Sequence, residues 1–383
     1  MKFGILWDPA VFDIDSSVLS ANDINILTGY NTGNMAYVEG LRSIFDGCDF
    51  EFIPWWYDSE KISKDIEILV FPAANQLGGH IDLSRLTENF LAYKRPVVAI
   101  GLGAQFDSLD GKVELSESAK NWLETLISLS PDKSKPNIVL RGDFTAGILK
   151  DLGYDGTFVA AGCPSQFLNL SADLYSGLNK TVSESDFYSL CYNTSHYSWP
   201  WAAHFDCSAF DYIQRNAGSM LVQAPAEYVE LVKARGGHAS LKDFDQLMAF
   251  FSISNPDEMI QALKKYFFTF PTAFSWRSWL THFDFNFGTR IHGTMLSLQS
   301  GVPSFLIVHD SRTEELAKKL GVPYAHYAKM SDAGDVVTQV VDQIKSFDYT
   351  SIDVVRRKNG RLYADFLYSL GLPISKRFSS FIF

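Results

Sequence analysis

Arg290 and His292 stand two residues apart where an apolar run at 283–288, FDFNFG, hands over to a helix-like stretch opening at Gly293 and Thr294. A guanidinium presents a planar fork to a carboxylate or phosphate, and an imidazole with an ordinary pKa of about 6.5 either donates to an anion or moves a proton. The first turn of a helix adds unpaired N–H groups and the positive end of its dipole. The spacing therefore predicts an anion site with a proton-transfer group beside it. The competing reading is an Arg paired to a core acid and a satisfied buried His. The next apolar run, at 304–308, delivers His309, Asp310 and Arg312 to the same sheet edge. Asp310 is a candidate general base or hydroxyl-orienting group and Arg312 a second anion contact; equally, the two form a salt bridge capping the helix TEELAKKLG. Arg141, in LRGDFTAGIL at 140–149, ends a strand of the first half, placed to reach across a cleft or to tie two domains together.

Three further segments carry weaker signals. Gly101-Leu102-Gly103 follows a buried run, but Phe106 replaces the third Gly of a dinucleotide fingerprint, so it reads as a tight turn with close backbone approach. The Asn31-Thr32-Gly33-Asn34 loop precedes the first long helix and reads the same way. Tyr197, Trp199 and Trp201 alternate within HYSWPWAAHF, so three rings are predicted to share one face, as a sugar-stacking platform or as core. Cys163, in AAGCPS, has no His placed beside it by the sequence and reads as structural.

Positioning these residues requires a regular α/β frame. Strand-like runs fall at 3–7, 50–55, 67–73, 97–103, 137–141 and 157–162, and again at 188–193, 219–225, 267–272, 283–288 and 304–310, with a closing one near PYAHYA. Helical stretches alternate with them. Two such βαβ sets, joined by a polar stretch near 170–185, predict two doubly wound domains facing one cleft, at 1–175 and 176–350, with 351–383 as a C-terminal helix and tail packing back on the first domain.

Composition narrows the function classes. With 33 Lys+Arg against 44 Asp+Glu, the net charge of −11 over 383 residues, with no basic block, argues against nucleic acid as a partner. Four cysteines without a C-x-x-C pair predict neither zinc nor disulfides. No run of about 20 apolar residues predicts a membrane span, the N-terminus MKFGILWDPA reads as a first strand, and the expected location is cytoplasmic.

The segment GTRIHGTMLSLQSGVPSFLIVHDSRTEEL, with LRGDFTAGILKDLGY, AAGCPSQF and NTGNMAYVEGLR upstream, resembles the polysaccharide pyruvyl transferase family over about 31–325. The resemblance implies a GT-B-like fold of two Rossmann-like domains. It also implies transfer of the enolpyruvyl carbons of phosphoenolpyruvate to a sugar, forming a pyruvate ketal and releasing phosphate, as in exopolysaccharide synthesis. Arg290 and His292 match the family's donor-site pair, and Arg141 falls on a corner carrying another Arg. The expected donor site is Arg290, His292, Gly293, Thr294, Arg312 and Arg141, with Arg290, His292 and Asp310 catalytic. The expected acceptor contacts are Asn31, Gly33, Asn34, Tyr197, Trp199 and Trp201. No metal and no cofactor are expected besides phosphoenolpyruvate as substrate. The acceptor is a polysaccharide or a lipid-linked or nucleotide-linked glycan, with peripheral contact to a membrane-bound acceptor allowed. The alternatives are a GT-B glycosyltransferase using a nucleotide sugar and a catalytically silent binding protein of glycan synthesis.

Overall fold

The computed structural model describes residues 1–383 except 13–18, 56, 80, 107–108, 110–113, 236–239 and 331–333. Its first sheet holds β1 (Lys2–Leu6), β2 (Phe50–Ile53), β3 (Ile66–Pro72), β4 (Val97–Leu102), β5 (Ile138–Leu140) and β6 (Phe158–Ala160). The second holds β7 (Ser189–Asn193), β8 (Ala217–Leu221), β9 (Phe267–Phe268), β10 (Phe285–Gly288), β11 (Ser304–Val308) and β12 (Tyr324–His326). All pairings are parallel, in the orders β2-β1-β3-β4-β5-β6 and β12-β11-β10-β7-β8-β9. The central strands are apolar along their whole length: every residue of β4 (VVAIGL) and of β11 (SFLIV) is buried, as required when helices cover both faces.

Each sheet reverses direction once, between β1 and β3 in the first and between β7 and β10 in the second. At such a switch point the loops leaving adjacent strands diverge and open a crevice at the strands' carboxyl ends. The two crevices lie on the two sides of the domain boundary, and helix Ile291–Gln299, buried at all nine positions, packs against helix Met35–Phe45 and the turn Pro164–Phe167 of the first domain. One apolar cluster runs through both halves, joining Trp7, Met35, Tyr37 and Cys163 to Met295, Leu298 and Leu316.

Polar contacts lock the boundary. Glu315 Oε1 accepts from Thr145 N at 2.6 Å and its Oε2 from Thr145 Oγ1 at 2.9 Å, while Ala104 N donates to that hydroxyl at 3.0 Å. Gly142 leaves the room this needs: a Cβ there would collide with Glu315. Burial raises the Glu315 carboxyl's pKa, and the two Thr145 donors offset part of that cost. Glu315→Ala strands buried donors and should lower stability by about 1–3 kcal/mol, read as a lower urea midpoint; an unchanged midpoint would mean the clamp contributes nothing.

The C-terminal helices Thr350–Ser369 and Lys376–Ile382 return to the first sheet, where Tyr363, Phe366, Phe378 and Phe381 pack with Phe3, Ile5 and Phe45. The polar stretch read as a joint forms helix Ser176–Glu184, because Leu178 and Val182, one turn apart, bury one stripe. Asp353 of the C-terminal helix fixes its start, accepting from Tyr175 N at 3.1 Å and Ser176 N at 2.8 Å. Helix Ala203–Arg215 also escapes the strand-like reading of the aromatic run before it; Phe205, Ala209, Phe210 and Ile213 form its buried face. Among the described residues no helix is long and apolar enough to cross a membrane.

Candidate active site

The second sheet's crevice holds the site. Thr289 and Arg290 leave β10, Thr194 and Ser195 leave β7, and Gln223 follows β8, so three strand ends converge there. Asn31, Asn34, Asn75 and Arg141 close it from the first domain, and Arg312 and Thr313 from the loop after β11. The enclosed space is about 40 Å³, room for one anionic head such as a phosphate or carboxylate. It adjoins a cavity of about 450 Å³ bordered by Gln105, Trp199, His309, Asp310 and Tyr327, with Arg290 and Arg312 shared between the two.

Electrostatics make the inner space an anion site. Arg290 donates from Nε to Thr194 O at 3.4 Å and lies over the Trp199 ring at 5.1 Å. Burial, and then Arg312, lower its pKa to about 10, so it stays charged at neutral pH. Arg141 is 2% exposed, reaches Ala73 O at 3.4 Å and stands over Tyr37 at 5.6 Å. Its methylenes press on Gly103, where a Cβ would come within 2.9 Å; Gly101 and Leu102, expected to form a tight turn with it, instead end β4 with a register irregularity, and Gly103 makes room for this arginine. Four buried donors around the cavity have no protein partner: Arg141 Nε, Arg290 Nη2, Arg312 Nε and Gln223 Nε2. Buried N–H groups are seldom left unpaired, and four converging ones call for an acceptor.

His292 lies in the first turn of helix Ile291–Gln299, against the Tyr37 ring at 5.3 Å. Burial, with Arg141 and Arg312 adding to it, holds the His292 pKa well below its usual value, so the imidazole is neutral. Its Nε2 is 3.7 Å from Cys163 Sγ. The expectation that no His accompanies Cys163 is thus corrected: β6 ends at Ala160 near the domain boundary, and Cys163, just beyond it, meets a helix residue 129 positions on.

The structure separates the other expected residues. Asp310 caps helix Ser311–Leu320, accepting from Thr313 N at 2.8 Å, and pairs with Arg312 Nη2 at 3.2 Å. Burial pushes its pKa up, but Arg312, His309 and Thr313 outweigh that and hold the carboxyl below its usual range, so Asp310 is a fixed counter-charge and a weak base. Gly293 and Thr294 do not line the cavity. Gly293 faces Asn193 and Gln223, and the Thr294 hydroxyl turns back to Arg290 O at 3.3 Å, because the helix presents only its first positions to the crevice. Asn31 and Asn34 border the space with side chains engaged in their own loop: Asn31 Oδ1 accepts from Gly33 N at 2.8 Å, and Asn34 Nδ2 donates to Thr28 O at 3.0 Å and Gly29 O at 2.9 Å. Gly33 is wedged between Gln223, Asn31 and His292, where no side chain fits.

The aromatic run does not share one face. A turn over 196–199, closed by Trp199 N donating to His196 O at 2.9 Å, breaks its alternation and sends Tyr197 into the core, against Tyr228 at 5.3 Å with its hydroxyl on Asp243 at 3.0 Å. Trp199 borders the outer cavity, and Trp201 stacks behind it at 5.6 Å and on His309 at 5.0 Å. Sequence reading missed Gln223, Asn75, Thr289 and the buried Asp206, which accepts from Tyr192 Oη at 2.8 Å and Ser195 N at 3.0 Å beneath Arg290. The missed Gln223 and Thr289 share a visible signal, polar residues just beyond the ends of apolar runs. Asp206 shares none, being a helix residue distinguished only by burial.

No curated protein matches the chain. Among solved structures, a functionally uncharacterised protein from Klebsiella pneumoniae aligns with 77% of this chain and 88% of its own at 11% identity and a TM-score of 0.41. The family model for polysaccharide pyruvyl transferase matches residues 31–311, a span that begins at the first asparagine of the cavity wall and takes in Arg141, His292 and Arg290. The chain belongs to the polysaccharide pyruvyl transferase family.

Proposed function

We propose that the protein transfers the enolpyruvyl carbons of phosphoenolpyruvate to a sugar, forming a pyruvate ketal and releasing phosphate. The observation that carries this reading is the convergence of Arg141, Arg290 and Arg312 with unpaired N–H groups on one small space. Phosphoenolpyruvate brings two anionic heads on three carbons. The inner space accepts one head and the arginines shared with the outer cavity hold the other. Fixed guanidiniums also stabilise charge that builds on the departing phosphate.

His292 enters neutral and takes a proton once the donor's negative charge is beside it, the donor's phosphate being one source, since a phosphate monoester has a second pKa near 6. The imidazolium then gives that proton to the methylene carbon, and the C=C electron pair becomes the new C–H bond. A sugar hydroxyl adds to the cationic carbon and loses its proton. A second hydroxyl of the same sugar then attacks that carbon and closes the ketal, while phosphate leaves with the C–O electron pair and takes up the hydroxyl's proton. Asp310 is committed to Arg312 and Thr313, whereas His309, neutral because burial lowers its pKa to about 4 despite Asp310, borders the same outer cavity with Nδ1 unpaired and is the acceptor left free to take the hydroxyl proton.

Melting temperature in the presence of phosphoenolpyruvate, UDP-, GDP- and CMP-sugars tests the donor. At about 100 times its dissociation constant a ligand stabilises by about 2.7 kcal/mol. A rise with phosphoenolpyruvate alone is expected; a rise only with a nucleotide sugar would replace this reading with glycosyl transfer.

A further inference from the structure

The first sheet has its own crevice, and it is built for different chemistry. At the carboxyl ends of β1 and β3, where that sheet reverses, lies a cavity of about 430 Å³ walled by Leu6, Trp7, Tyr37, Trp55, Phe71 and Leu86. Its charged border residues, Asp82 and Arg85, are exposed and opposite in sign, so the interior carries no net field for a phosphate. Its mouth keeps two large apolar side chains in solvent, Tyr30 at 62% and Ile81 at 44% exposure. Trp7 Nε1–H is buried without a partner.

The cavity adjoins the anion site. Asn34 and Asn75 border both spaces. Tyr37 is the wall between them, packing edge-on against Trp7 at 5.9 Å on one side and against His292 at 5.3 Å on the other. A molecule that offers a hydroxyl beside His292 and extends into the first domain therefore buries its next group among aromatic and aliphatic side chains. The geometry points to an acceptor subsite for an uncharged hydrocarbon aglycone, so that the acceptor is a glycoside carrying an apolar group next to the reacting sugar. This inference rests on the transfer reading for its biological meaning, but the cavity's preference is tested without the donor. It also moves the apolar acceptor contacts from the Trp199–Trp201 stack to the opposite domain. Apolar burial supplies affinity in proportion to area, and each further methylene strengthens binding until the cavity is filled.

Saturation-transfer NMR on the full chain, with hexyl and methyl β-D-glucopyranoside and β-D-galactopyranoside as probes, reads this directly. The hexyl glycosides should bind at least tenfold tighter than the methyl ones, with saturation strongest on the chain protons. Ile81→Asp, at an exposed position, and Tyr30→Asn, which suits that residue's left-handed backbone (φ 66°), should each cut the hexyl preference at least fivefold. Both variants should keep the thermal shift given by phosphoenolpyruvate. Equal binding of hexyl and methyl probes, a preference untouched by both substitutions, or displacement of the hexyl chain by uridine would overturn the proposal. Loss of the phosphoenolpyruvate shift in the wild type, with the hexyl preference intact, would overturn the donor reading alone.

Discussion

His292→Gln should lower turnover with phosphoenolpyruvate by about 10²- to 10⁴-fold, the usual contribution of a positioned acid or base, while changing the donor's KM far less. Glutamine keeps a polar group of similar reach against Tyr37 and Cys163 but cannot carry a proton to carbon. The three arginines that hold the anion are untouched, so binding survives. A large rise in KM with normal turnover would make His292 an anion contact only.

The same residue shapes the response to pH. A His whose folded pKa is depressed leaves the unfolded chain binding more protons, so stability is full above about 6.5 and falls as pH drops toward the folded value. His292, held well below by burial and the arginines, and His309, lowered to about 4, act in this sense, each with a slope of up to about 1.4 kcal/mol per pH unit. Asp206 acts oppositely: its pKa is raised to about 6 by burial, so between about 6 and 3.8 the folded chain holds the extra proton and gains stability. Glu315, whose pKa burial also raises, acts with Asp206 against the two imidazoles, and His292→Gln, which removes one imidazole, should make stability less sensitive to acid. Identical urea midpoints for variant and wild type, relative to their values at pH 7.5, across pH 5–7 would contradict the neutral, buried imidazole.

The inner strands are visible in the sequence because parallel strands buried on both faces are continuous apolar runs, and the half-buried β2, β6 and β12 are short runs rich in aromatic and small apolar residues. The anion site is visible for a related reason, since Arg141, Arg290 and Arg312 are cations placed just past such runs, where the topology must deliver them to one edge. Helices were harder. Ser176–Glu184 buries only Leu178 and Val182, and its polar face makes it read as a linker. The cysteine beside His292, Asn75 in the cavity wall and the Trp7–Trp55 cavity depend on how two domains are pressed together, which no local spacing encodes. Tyr197 differs for the opposite reason: its alternate spacing reads as one shared face, but the chain turns at 196–199.

Arg290→Lys should reduce kcat/KM by about 10²- to 10³-fold, on the scale of losing one preorganised donor to a developing anion. The guanidinium holds two partners at once, Thr194 O through Nε and the Trp199 ring under its plane, and keeps an unpaired Nη2 for the ligand. An ammonium lacks the planar fork and cannot stack and donate in those directions together. Burial acts more harshly on lysine, whose pKa falls readily when desolvated. Arg312 beside it pushes the substituted amine further toward its neutral form, against the opposing pull of the buried Asp206 carboxylate, so charge is weakened as well as geometry. The fold should survive, since Asp206 stays anchored by Tyr192 and Ser195 without Arg290, so the urea midpoint should move little. Turnover and KM both at wild-type values would remove Arg290 from the donor site and leave Arg141 and Arg312 to hold the anion.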